Sequence, residues 1–441
     1  MIAAERRAAG SPRAALVLVA VAVAVAAATL LLPWALAFDP QAWVVWGRDA
    51  AHFDLDTRGG PSWKPLPVVV TTPLSLTGAA APALWLLFAR TGGLLAVAGA
   101  AVLATRLGGR VAGAAAAALT ALSSWWGFNT ALGNSEGLLA AAVLWAVVAH
   151  LAGRPRAALA LGTAAALLRP EVWPFVGLYG LWLWRTDRTQ RLAVVVAAVV
   201  VVLLWVGPDL LGTEGLTGAS RAARGEPSLG SAALEDVPGL AVLADFVSLL
   251  TIPACLAALA ALVAGPRVVR VLGAAALAWV AIVAVMAQAG YAGNPRYLVA
   301  AAAIGCVLAG VGAARLGPSG LVALTVVAVA AAITVGDLRD QASDVQARAD
   351  RREALPQLVD AAGGRDALTR CTVHTAPDVR PLVAWELDIS MLGIDRPPRR
   401  PDVVVRWRPH GGGPVEPALD PAGYRFLGRS PGWEAWASCG G

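Results

Sequence analysis

Apolar residues run along this chain in long blocks, and charges are largely confined to the short stretches between them. Nine blocks, at 16–38, 84–105, 111–126, 136–152, 192–207, 240–264, 268–289, 297–314 and 319–336, read as membrane-crossing helices. Two shorter runs, 156–168 and 171–184, predict a further helical hairpin around the break Arg169-Pro170-Glu171. About eleven crossings are therefore expected. The first block is too long for the apolar part of a cleaved signal peptide, and no small-residue cleavage motif follows it, so it is expected to be retained. The pattern changes abruptly at Asp337-Leu338-Arg339-Asp340. A charged helical stretch to residue 362 precedes β-like runs at Cys371–His374, Val403–Trp407, Tyr424–Leu427 and Trp433–Ala437. Turns rich in Pro and Gly, at Arg396–Pro401 and His410–Pro414, separate them. The expected fold is an α-helical polytopic membrane protein in two parts: a multi-span domain over 1–336 and a small extracytoplasmic α+β domain over 337–441.

Composition supports this class. Hydrophobic residues make up 58% of 441 positions and charged ones only 15%, with a mean hydropathy of +0.65, which a soluble domain rarely sustains over such a length. The net charge of +6 does not imply nucleic acid, because the arginines mark alternate connections. Arg6, Arg7 and Arg13 precede the first block; Arg106 and Arg110, Arg154 and Arg156, Arg185, Arg188 and Arg191, Arg267 and Arg270, and Arg315 follow. By the positive-inside rule these face the cytoplasm of a plasma (inner) membrane, with the N-terminus. Loops 39–83, 127–135, 208–239 and 290–296, and the tail, then face outward. Cys255 and Cys306 fall inside apolar blocks. Cys371 and Cys439 fall in the tail, where a disulfide or two buried thiols are the alternatives, export favouring the first.

The candidate chemistry sits at outward block ends. Asp39 lies where the first block ends, as a general base for a hydroxyl or simply as the start of a new helix at Asp39-Pro40. Lys64, in Ser62-Trp63-Lys64-Pro65, is the only lysine among 35 basic residues; a compact ammonium suits contact with one phosphate, and chance is the bland alternative. Glu136, in Asn134-Ser135-Glu136, either contributes a carboxylate or complements a helix dipole. Arg169 and Glu171 flank Pro170 and can pair with each other. Arg90 and Arg296-Tyr297 complete the set, with snorkelling as the competing account of the two arginines. Ionisable groups at membrane depth are costly and mark function by default. Snorkelling does not explain carboxylates at the same level. Trp43, Trp46 and Trp63 share the first outward loop with Arg48; most of the 17 tryptophans read as interfacial anchors. No Walker loop, GxSxG or HExxH is present, and His52, His150, His374 and His410 are too scattered for a zinc site.

At these residues the chain resembles the GT-C superfamily, in its protein-mannosyltransferase and aminoarabinose-transferase branch. An acidic residue at the end of the first span, then an aromatic and basic helix, matches Asp39, Trp43, Trp46 and Arg48. A Lys-Pro step into an apolar helix matches Lys64-Pro65-Leu66-Pro67, a later arginine-bearing stretch matches Phe88-Ala89-Arg90, and Arg296-Tyr297-Leu298-Val299-Ala300 matches the entry to a late span. The succession covers residues 14–315, and the tail carries no matching motif. The resemblance implies that Asp39 is the catalytic base, or orients the acceptor, and that Lys64 and Arg296 hold the donor phosphate. Many members carry a second acidic residue where this chain has Pro40, which weakens a divalent cation, although Asp49, Asp54, Asp56 or Glu136 are available substitutes.

The function expected is inverting transfer of a sugar from a polyprenyl-phosphate donor to an extracytoplasmic envelope glycan, lipid or protein. Asp39, then Glu136, is the candidate base; Lys64, Arg296, Arg169 and Arg90 are the candidate phosphate contacts; Trp43, Trp46, Arg48, Trp63, Glu171 and Tyr297 are the candidate substrate contacts. The alternatives are a transporter or flippase for a lipid-linked precursor and a non-catalytic membrane scaffold.

Overall fold

The computed structural model describes residues 12–57, 59–211, 230–316, 320–395, 400–408 and 413–439. Arg6, Arg7, His410, most of the loop 208–239 and the turn segments 396–399 and 409–412 lie outside them. The first helix, α1 (Pro12–Ala28), opens on a proline, whose missing N–H costs nothing at that position. It runs into a 3-10 turn at Thr29–Leu31 and stops ahead of Pro33. The first span is thus shorter than the expected 16–38. A new helix, α2 (Phe38–Ala51), follows. Pro40 is tolerated because first-turn N–H groups have no acceptor within the helix, and Asp39 faces the positive end of the dipole. This α2 is buried nearly all round, so its neighbours, not its own amphipathicity, fix it. Next comes α3 (Pro65–Ser75).

A 41-residue element, α4 (Ala81–Ala121), is two helices joined at Gly109, whose φ of 86° breaks the backbone at the expected connection between 84–105 and 111–126. Then α5 (Ser124–Ala131) meets α6 (Glu136–Leu151) at 118°. The hairpin helices α7 (Pro155–Ala166) and α8 (Trp173–Thr186) are 12 and 14 residues long, about 20 Å each and too short to cross alone. They are followed by α9 (Arg191–Leu211). The block 240–264, expected as one span, is two helices, α10 (Pro238–Leu250) and α11 (Ile252–Ala264), bent by 92°. Thr251 between them takes a φ of 69°, and Pro253, without an N–H, begins the second helix. The set continues with α12 (Arg267–Gln288), α13 (Val299–Arg315) and α14 (Gly320–Ala361). Among the described residues five helices are long and apolar enough to cross a membrane, or seven if each bent pair is one span.

The Ala- and Gly-rich α13 is the buried centre of the bundle. Gly310 lies against Ala112 and Ala116 of α4, and Gly312 against Ala257 of α11, approaches that a Cβ would block. The 42-residue α14 continues unbroken past the expected boundary at 336. After it come α15 (Arg365–Leu368), β1 (Thr372–His374), α16 (Arg380–Leu387), β2 (Ile394–Asp395), β3 (Asp402–Trp407), β4 (Arg425–Ser430) and β5 (Trp433–Ala437). The sheet order is β2-β1-β3-β5-β4, with β1 parallel to both neighbours and β5 antiparallel to both of its own. Cys371 and Cys439 form a disulfide. Trp43, Trp46 and Trp63 share one hydrophobic cluster with Leu355, Val383 and Val403, so α2 is buried between the bundle and the sheet.

Candidate functional site

Six ionisable side chains from five connections converge at one end of the bundle. Asp39 lies in the first turn of α2, Glu136 in that of α6, and Arg296 in the 3-10 turn Pro295–Leu298 ahead of α13. Lys64 and Arg169 each precede a proline, which disfavours helical backbone there. Both are extended, at φ −138°, ψ 114° and φ −149°, ψ 131°, and so stand clear of the helices they introduce. Glu171 follows Pro170.

Asp39 Oδ2 accepts a hydrogen bond from Arg296 Nη1 at 2.8 Å and lies 4.0 Å from Lys64 Nζ. Lys64 Nζ is equally 4.0 Å from Glu136 Oε1, which accepts from Arg169 Nη2 at 2.7 Å. Glu171 Oε1 is 4.0 Å from Arg169 Nη1, so Arg169 is held more closely by Glu136 than by its sequence neighbour. Lys64 also donates to Ser135 Oγ at 3.4 Å and lies 4.9 Å from the centre of the Trp43 ring; Arg169 lies 4.2 Å from that of Tyr297. Lys64, Glu136, Arg169 and Glu171 are each at most 5% exposed, whereas the Arg296 side chain is about one-third exposed. Three negative charges face three positive ones, which lets a cluster this buried exist at all. It is not fully satisfied: Glu136 Oε2, Glu171 Oε2 and Arg169 Nε are buried without a partner, each costing about 1–3 kcal/mol.

Lys64 lies in the connection between α2 and α3, outside the spanning helices. Burial, reinforced by the charge of Arg169, pulls its ammonium down to about 7, with Glu136 and Asp39 opposing. A change of local charge can therefore move a proton here near neutral pH.

An apolar groove of about 690 Å³ leads away from this cluster between α6, α7, α8 and α12. Its near end is marked by Val172, next to Glu171, and by Trp279, whose Nε1 donates to the carbonyl of Tyr297. His150 and Arg267 line its far part.

Other candidates lie elsewhere. Arg90 donates to Thr29 O and Oγ1 and to Ala131 O, at 2.8–3.0 Å, tying two helix ends together apart from the cluster. Arg48 reaches the C-terminal segment, donating at 2.8 Å to Ile389 O and to Asp388 Oδ1. Trp46 and Trp63 are buried against each other, with ring centres 5.7 Å apart, and only Trp43 touches Lys64. Ser135, at the N-cap position of α6, makes no capping bond and holds Lys64 instead. Among the described residues no three His, Cys, Asp or Glu side chains gather as a metal site. Asp39 and Glu136 already face cations, so these residues do not fit a divalent ion.

No protein-family model matches the chain, and no curated protein matches it significantly in sequence. Its fold does match solved structures. ArnT from Cupriavidus metallidurans bound to undecaprenyl phosphate superposes with a TM-score of 0.60 over 98% of this chain and 99% of that one, at 13% identity. The apo state of the same protein gives 0.59 over 96% and 98%, at 14% identity. From its first described helix to its last strand, this chain shares the polytopic membrane fold of these ArnT structures.

Proposed function

We propose that this protein transfers a sugar from a polyprenyl-phosphate carrier to an acceptor hydroxyl on the extracytoplasmic side of the membrane. The supporting observation is a buried, charge-balanced cluster at the head of an apolar groove, in a fold whose solved example binds undecaprenyl phosphate. The groove takes the prenyl chain; Lys64 and Arg296 take the phosphate. Asp39, already between those two cations, is the base.

In the step itself the acceptor O–H gives its proton to Asp39 as its oxygen attacks the anomeric carbon, and the bond from that carbon to the phosphate oxygen breaks with inversion. The electron pair leaves on the polyprenyl phosphate, where Lys64 and Arg296 stabilise the charge that develops. Glu136, bonded to Arg169 and beside Lys64, holds the cations in place, and its deeper burial makes it the second choice as base.

The test is transfer of radiolabelled sugar from polyprenyl-phosphate donors to an extracted envelope acceptor by purified wild type and by Asp39→Asn. Loss of a general base is expected to slow transfer by about 10²- to 10⁴-fold. Full transfer by the variant would remove Asp39 from the reaction, and donor movement without transfer would identify a transporter instead.

A further inference from the structure

A small cleft lies on the opposite flank of α2 from the charged cluster. Its lining includes Ala37, Gln41, Arg348, Arg351, Arg352 and Asp378. Three of these residues carry buried N–H groups without a partner: Gln41 Nε2, Arg351 Nε and Arg352 Nε. All three are donors, and Gln41 is 6% exposed. Two acids pair with these arginines, Asp378 accepting a 3.3 Å bond from Arg351 Nη1 and Glu353 a 2.8 Å bond from Arg352 Nη2, and both carboxylates are over half exposed. The arginines are held in place by rings, Arg351 3.3 Å from the centre of Trp407 and Arg352 3.6 Å from that of Trp34, which fixes their planes before any ligand arrives. Unpartnered donors of one sense on ordered cations are the complement of an oxyanion.

An apolar groove of about 490 Å³ lies a few residues back along the same two segments. Along the first chain segment, Leu32 and Pro33 of the groove are followed by Ala35 of the cleft. Along α14, Val345 and Gln346 of the groove are followed by Arg348 of the cleft. Leu94, Phe128 and Leu338 add to the apolar wall. An oxyanion cradle above an apolar groove fits an amphiphile.

We infer that this flank holds one anionic phospholipid of the surrounding bilayer, its headgroup phosphate between Gln41, Arg351 and Arg352 and a tail along α1 and α14. The lipid is a resident and not the acceptor. Gln41 is two residues beyond Asp39, which turns it about 200° around α2. The cleft is small, about 30 Å³. The site is also separate from the groove between α6, α7, α8 and α12.

The experiment uses the delipidated full-length protein titrated with phosphatidylglycerol or phosphatidylcholine and read by native mass spectrometry. It needs no sugar donor, so its outcome is independent of glycosyl transfer. One phosphatidylglycerol per chain is expected to bind in preference to phosphatidylcholine, and Arg351→Gln with Arg352→Gln to weaken it about ten- to a hundredfold, as lost hydrogen bonds to a charged group imply. Gln41→Leu removes an unpartnered donor without opening a void. It should leave the melting temperature in phosphatidylcholine unlowered while weakening phosphatidylglycerol binding about tenfold. Undiminished phosphatidylglycerol binding in both variants would overturn the site. Displacement by millimolar inorganic phosphate would reduce it to a plain anion site and overturn the lipid, as would appearance of a sugar on the bound lipid when donor is added.

Discussion

The geometry of Arg48 makes a quantitative prediction about how α2 is held. Its guanidinium bonds Asp49 Oδ1 through Nε at 3.1 Å and Nη2 at 2.9 Å, and reaches Ile389 O and Asp388 Oδ1 at 2.8 Å each. The Asp388 pair counts for little, because that carboxylate is 61% exposed and exposed pairs contribute about 0–1 kcal/mol. The bond to Ile389 O is charge-assisted and worth about 1.5–3 kcal/mol. Asp49 matters too: burial already raises its pKa against the pull of Arg48, and its Oδ2 has no partner. Arg48→Met should therefore loosen the contact between α2 and the C-terminal segment by about 3 kcal/mol, roughly a hundredfold in opening. Limited proteolysis of residues 380–395 in mild detergent reads that opening as a rate, provided reclosing is faster than cleavage. Asp49→Asn in the Arg48→Met background should recover about 1 kcal/mol or more, since it removes a buried carboxylate that has lost its cation. Cleavage rising less than fivefold in Arg48→Met, or no recovery in the double variant, would refute the assignment of Arg48 as the clamp.

Donor affinity should depend on pH through Lys64. Its ammonium is present below about 7 and lost above it, whereas a sugar phosphodiester keeps one charge throughout; binding should weaken from pH 6 to 8, and Lys64→Arg, always charged, should flatten the profile in a fluorescence titration. Glu136→Gln removes the partner of Arg169 and should raise the donor KM more than it lowers kcat, whereas Asp39→Asn should do the reverse; equal effects on kcat would undo that division of roles. The Cys371–Cys439 bridge closes a sequence separation of 68, worth about 4 kcal/mol in chain entropy, so replacing both cysteines with serine should make the sheet, but not the bundle, the first region to exchange amide hydrogen.

Much of the cluster was legible because membrane makes charge expensive: Asp39, Lys64, Glu136, Arg169, Glu171 and Arg296 stand out at the ends of apolar blocks, and one fold brings all six together. Their partners were less legible. Arg90 and Arg48 looked like members of the same set, yet their hydrogen bonds run to helix ends and to residues some 340 positions away, which no local pattern records. Trp46 and Trp63 stood out as candidate substrate contacts, but α9 and the C-terminal segment, far along the chain, cover them. The strands β1, β3, β4 and β5 fall on the β-like runs of the tail. The two-residue β2 and the helix α16 were missed, being too short or too dependent on tertiary contact to stand out. The break at Thr251 went unseen for a related reason: its flanks are largely apolar, Pro253 is its one local mark, and the positive φ appears only in the fold.

The burial of α2 has a consequence for synthesis. This helix is made before residues 355–437, which complete the enclosure that the bundle begins. Until then Trp43 and Trp46 lack part of their cover, and Arg48 has neither Ile389 nor Asp388 to grip. A chain that stalls after α13 already carries all six charged groups, but with Asp39 on a helix still open on the side that the sheet covers. Enclosure of α2 thus waits on the segments that follow α13.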